Sequence, residues 1–180
     1  QSVTLTLTVV ERYQDADSQG LPVQREHRVS RTAEIRVHDS VKEIGDMARA
    51  FLIAFSEQVG TTETLKDFSR TCDGGAGYED ELFDVKKNLE QFTIRAYRVD
   101  QPAVTFAFAA RPSCLPRPGI NGDACAATFV RWEDTEISTG KEGIVEGTSY
   151  VSAVYEDSRW LLCHSGFEGR NLLTGLRVIR

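Results

Sequence analysis

Cys163 and His164 are neighbours, and a thiol beside an imidazole is the pairing that activates a cysteine nucleophile. On a strand, however, successive side chains leave on opposite faces, which denies the two a shared hydrogen bond. A base would then have to come from His27 or His38, and Cys163 would have to be unpaired. The cysteine pattern argues against a free thiol. Cys72, Cys114, Cys125 and Cys163 stand 42, 11 and 38 residues apart, which fits neither a zinc ribbon nor a redox dithiol. An even count of this kind reads as cystines. Pro112, Pro116, Pro118, Gly119 and Gly122 make a turn-rich excursion whose ends lie close together. The predicted bridges are therefore Cys114 to Cys125, clamping that excursion, and Cys72 to Cys163, tying a helical segment to a late strand. No catalytic residue, metal ligand or cofactor is assigned.

The next candidate is acidic. Asp73, Glu79, Asp80, Glu81 and Asp84 put five carboxylates within twelve residues. That is oxygen enough for calcium, but the register of an EF-hand loop is missing. Gly74, Gly75 and Gly77 are not spaced as a phosphate-binding loop, and the acids that follow repel phosphate, so this stretch reads as a flexible connector. Glu79, Asp80, Glu81 and Asp84 are expected on a solvated acidic face that fits a basic protein partner. The first ninety residues hold 11 basic and 17 acidic side chains and the last ninety hold 10 of each, so the net charge of -6 resides in the first half. Such asymmetry steers a cationic partner to that side. Arg159, Trp160 and His164 form a second candidate group, able to line a pocket if the sheet around them curves. Trp160 is more simply a core residue, and Glu133, Asp134 and Glu136 a polar strand end. There is no Gly-x-Ser-x-Gly elbow for a serine nucleophile.

These groups need elements to position them. Val3, Leu5, Leu7 and Val9 alternate with threonines, and Val29, Ala33, Ile35 and Val37 alternate with polar residues beyond a turn at Asp15 to Gly20. The two runs predict an antiparallel hairpin, with Arg31 breaking the apolar parity. Ser40 and Glu43 form a capping box, and Val41, Ile44, Ala48, Phe51, Phe55 and Val59 follow at helical spacing up to Gly60. A shorter helix is expected from Thr61 through Leu65 and Phe68 toward Cys72. A third is expected where Glu79, Asp80 and Glu81 precede Lys86 and Lys87, the charge order the helix dipole favours, with a strand as the alternative because Phe83, Val85 and Leu89 fall on one parity. Strands follow at Phe92 to Val99, Val104 to Ala110, Ala126 to Trp132, Thr148 to Tyr155 and Arg159 to Phe167, with Leu172 to Ile179 closing the chain.

Strands, then helices, then a run of strands predict a single α+β domain over residues 1–180, an antiparallel sheet with an N-terminal hairpin and two or three helices packed on one face. The strand at Thr148 to Tyr155, its short turn and Trp160 to Leu162 resemble the final hairpin of cystatin-like and nuclear-transport-factor-like cone folds, over about twenty residues and without a diagnostic motif. Those transport-factor-like folds begin with helices, whereas this chain begins with a hairpin. The resemblance implies a cone-like sheet and a pocket beside His164.

With 180 residues, 41% hydrophobic, the chain is large enough to bury a core without help from disulfides. The cystines therefore speak to compartment more than to stability. The chain begins at Gln1, its sole methionine is Met47, and it has no N-glycosylation sequon. Removal of an export signal is expected, with a periplasmic or secreted product. No apolar run is long enough to span a bilayer, and no basic face suggests nucleic acid. The function expected from these features is noncatalytic protein binding in an oxidising compartment, in the manner of an inhibitor or immunity protein. The alternatives are a small-ligand binder or enzyme with a pocket near His164, and a structural component of a bacterial envelope assembly.

Overall fold

The computed structural model describes residues 2–36, 39–106 and 124–179. The chain divides into two compact units, residues 1–39 and 40–180. The predicted N-terminal hairpin makes up the first of these units. It pairs β1 (Ser2–Ala16) with β2 (Pro22–Arg36) in continuous antiparallel register, Leu5 facing Ala33 and Val9 facing Val29. Its turn is held by Asp17, whose Oδ1 accepts the amides of Gln19 and Leu21, each at 2.9 Å. Leu5, Leu7, Val9 and Val29 all remain exposed.

The second unit begins with helices and ends with the sheet. Helix α1 (Ser40–Glu57) starts at the predicted cap and buries Ile44, Ala48, Phe51 and Leu52. Val41 and Val59, the two ends of the predicted stripe, are exposed. After the single-turn α2 (Thr61–Thr64), the expected longer helix does not continue. Residues 67 to 69 lie instead along the edge of a strand: the Ser69 amide donates to the Leu162 carbonyl and the Leu162 amide to the Asp67 carbonyl, both at 2.8 Å. The backbone groups that a helix would have satisfied internally are satisfied by the sheet.

A 3₁₀ turn at Cys72–Gly75 leads into α3 (Ala76–Gln91). The glycines here build a tight passage rather than a loose connector. Gly75 takes the left-handed backbone (φ 94°), and a Cβ on Gly77 would lie 2.7 Å from the Cys163 carbonyl oxygen, closer than packing allows. Glycine at 77 is what lets the start of α3 lie directly against the sheet.

The sheet comprises β3 (Phe92–Val99), β4 (Ala103–Phe106), β5 (Ala124–Glu136), β6 (Glu142–Glu156), β7 (Arg159–Asn171) and β8 (Arg177–Ile179). Its order is β3-β5-β6-β7-β8, with β4 also paired to β5 and every pairing antiparallel. The α+β class and the packing of helices on the sheet follow the sequence expectation. The core between the layers is formed by Ile44, Ala48, Phe51, Leu65, Val85, Val130, Val151 and Leu162, all almost closed to solvent. Burying a side chain such as Leu162 contributes about 1.5 to 3 kcal/mol. No helix among the described residues is long and apolar enough to cross a membrane.

Cys72 and Cys163 form the predicted disulfide, their Cα atoms 5.8 Å apart. Ser69 prepares the turn that carries Cys72. Its hydroxyl accepts the amides of Thr71 and Cys72 and donates to the Glu156 carboxylate at 2.5 Å. Cys114 lies outside the described residues, and so does the expectation of its bridge to Cys125; the predicted strand beyond Phe106 does too.

Candidate functional site

One irregularity in β7 organises the site. The register passes from Val151 opposite Ser165 to Ala153 opposite Leu162, so Cys163 and His164 together face Ser152. The extra residue is a β-bulge, which breaks strict alternation and re-aims the neighbouring side chains. Ser152 pins the bulge, its hydroxyl accepting the His164 amide at 3.0 Å and donating to the His164 carbonyl at 3.3 Å. Cys163 and His164 therefore do not diverge as a regular strand predicts: both side chains border Gly77. They still make no nucleophilic pair, because Cys163 is bonded to Cys72. His164 turns instead to Asp73, its Nε2 3.3 Å from Oδ2.

Past the bulge, the strand parity returns Ser165 and Phe167 to the helix-covered face. There Ser165 meets Glu81 from α3: its amide and its hydroxyl, the latter at 2.8 Å, both donate to the carboxylate. Glu81 is 4% exposed. The sequence placed it on an acidic surface with Glu79, Asp80 and Asp84; those three are exposed, and Glu81 turns inward. The physical reason lies in the phase of α3, whose buried stripe runs Tyr78, Glu81, Val85 and Asn88 at spacings of three, four and three. Burial pushes the Glu81 carboxyl up to about 7, against the downward pull of the two Ser165 hydrogen bonds, with Asp84 and Asp80 adding to the rise.

Glu81 and Ser165 lie on the wall of a cavity of about 330 Å³ between α1, α3 and the sheet. This is at the small end of ligand-binding pockets. Its apolar lining includes Phe51, Phe55, Phe92, Trp132 and Phe167, and its polar lining includes Asp84, Lys87, Asn88 and Asp134. Trp132 is central, its ring 6.0 Å from that of Phe55 and 5.4 Å from that of Phe167. The Trp132 indole N–H donates to the Ser56 hydroxyl at 2.7 Å, which itself donates to the Leu52 carbonyl at 2.6 Å. That chain satisfies the buried polar atoms and fixes the indole in one orientation. Gln58, just past the end of α1, secures another wall. Its amide donates to the Asn88 side chain at 3.2 Å and the Phe92 carbonyl at 2.8 Å, while its Oε1 accepts the Ile94 amide at 3.2 Å.

Of the predicted site residues, Glu81 and Asp84 line this cavity, and Glu79 and Asp80 do not. His164 does not line it either; the next residue, Ser165, does. Arg159 is exposed, and Trp160 is in the core as its size suggested, packed edge-on against Tyr155 at 5.2 Å. Asp134, read as part of a polar strand end, reaches the pocket instead. The sequence did carry a signal for Glu81 and Asn88, since two polar residues sit on the apolar stripe of an otherwise amphipathic helix. Among the described residues, no group of His, Cys, Asp and Glu side chains is placed to hold a metal ion. No family model matches the chain, and no curated protein or solved structure matches it.

Proposed function

We propose that this protein binds a small, largely apolar molecule in the cavity between its helices and its sheet, within an oxidising compartment such as the periplasm or the extracellular space. The observation that carries this reading is the buried Glu81 carboxylate, held on an aromatic-lined wall by Ser165. Burying a carboxylate is costly, and a polar group fixed in an apolar cavity is how ligand pockets orient what they bind. The Cys72–Cys163 bridge supports the compartment. Nuclear magnetic resonance with indole as a neutral probe tests the pocket. Indole is expected to shift the amides of Ile94, Val145 and Ser165, and Val145→Trp, which fills the cavity, is expected to weaken binding at least tenfold. Shifts elsewhere, unaffected by that substitution, would contradict the reading.

A second reading, protein binding through an acidic face, is supported by the exposure of Glu79, Asp80 and Asp84 on α3. It assigns the chain to a basic partner, as for an inhibitor or immunity protein, or to an envelope assembly. Neutralising those three carboxylates would then weaken the partner complex and its salt dependence. A complex indifferent to all three changes would remove this reading.

A further inference from the structure

We propose that the ligand of this cavity is a small organic cation, with its charged head against Glu81 and its apolar body among Phe51, Phe55, Trp132 and Phe167. The inference rests on the pocket reading above and names the chemistry of its occupant.

Three observations converge on a cation. First, α3 lines the cavity with Glu81 and Asp84 against Lys87, an excess of negative charge that disfavours an anion. Second, Glu81 has no basic side chain within ion-pair distance among the described residues, and Ser165 supplies it with donors but no charge. One backbone amide and one hydroxyl leave further lone pairs on both oxygens. A buried carboxylate without a counter-ion is an incomplete site, and a bound ammonium would complete it. Third, the apolar lining includes Phe51, Phe55, Trp132 and Phe167 beside aliphatic side chains, and aromatic rings attract cations, most strongly where water is excluded. A neutral apolar guest would use the rings and leave the carboxylate without a counter-charge. An organic cation uses both.

The charged groups around Glu81 are Asp80, Asp84 and Lys87 on its own helix and Asp134 on β5, while His164 sits with Asp73 across the β7 bulge. The test must therefore isolate Glu81 from these. Benzyltrimethylammonium and its uncharged carbon isostere, neopentylbenzene, share a shape and differ in charge, and phenylacetate supplies the anionic control. Their affinities are read by nuclear magnetic resonance titration. At pH 8 the cation is expected to bind at least tenfold more tightly than the isostere, and phenylacetate more weakly than either. For a carboxyl titrating at about 7, the ionised fraction rises from roughly one-tenth at pH 6 to nine-tenths at pH 8, so cation affinity should rise about tenfold over that interval. Glu81→Gln should abolish both the preference for charge and its pH dependence.

The pH arm uses the unaltered protein and stands even if the variant folds poorly. Equal binding of cation and isostere, with no change in Glu81→Gln, would overturn the cation inference and leave the pocket reading intact. Binding of none of the three probes would overturn the pocket reading and the cation inference with it.

Discussion

The β1–β2 hairpin and the β6–β7 hairpin are made of similar material: two long antiparallel strands whose apolar residues alternate with polar ones. In β6–β7 the inward set, including Val151, Ala153 and Leu162, is closed to solvent because helices lie over it. In β1–β2 the corresponding set stays open, with Leu5, Leu7, Val9 and Val29 between 48% and 68% exposed. Alternation thus specifies which residues share a face, but burial needs a second layer. A two-stranded ribbon without one is marginal in water. The ribbon is held by its continuous register and by exposed pairs such as Arg12 with Glu26 at 3.1 Å. Exposed pairs of that kind add little.

Perturbing each region should give unequal effects. The largest effect is expected from the disulfide. Cys72 and Cys163 are 91 residues apart in sequence, and a loop of that size is worth about 4 to 5 kcal/mol by chain entropy, as an upper value. Replacing both with alanine should lower the urea midpoint of the α+β unit while leaving the amide shifts of the β1–β2 ribbon in place. Ribbon resonances that changed together with the core would contradict the two-unit division.

Next, Leu162→Ala should cost about 2 to 5 kcal/mol, because it opens a cavity beneath the helices. Leu7→Ala, removing a side chain already 68% exposed, should stay within about 0.5 kcal/mol. Comparable losses at the two sites would mean that the ribbon face is covered in solution.

A smaller effect, confined to one pH range, is expected from Glu81. Its folded-state pKa lies above the ordinary carboxylate value, so its contribution is fully present in acid and is lost as pH rises through about 7. The difference between about 7 and 4.5 corresponds to about 3 kcal/mol, lost between those two values. Urea titrations should show the native protein losing that much stability from pH 4 to pH 8 relative to Glu81→Gln. Parallel pH profiles would mean that Glu81 is solvated after all.

Much of this architecture was legible in the residues. The start of α1 at Ser40, the spacing from Ile44 to Phe55, the strand runs and the Cys72–Cys163 pairing all follow from local patterns that the packing then respects. The site was legible only in pieces. Glu81 was grouped with Glu79 and Asp80 by charge, although its position on the stripe of Tyr78, Val85 and Asn88 turns it inward. Ser165 was hidden by the bulge, since one inserted residue decides which face of β7 it occupies and nothing in the local sequence announces the insertion. The short α2 departs from its helical spacing for a different reason: Asp67 and Ser69 give their backbone hydrogen bonds to β7, a choice made by tertiary contact rather than by helix propensity. His164 was one residue from the pocket and on the wrong side of that bulge.

Glu81, as a buried, proton-exchanging carboxylate in a ligand cavity, is open to direct observation. Its side-chain carboxyl carbon can be followed by nuclear magnetic resonance as pH is raised, with and without saturating benzyltrimethylammonium. A midpoint of about 7 is expected in the free protein, displaced downward by the cation. A midpoint near the ordinary 4.5, unmoved by the cation, would contradict it.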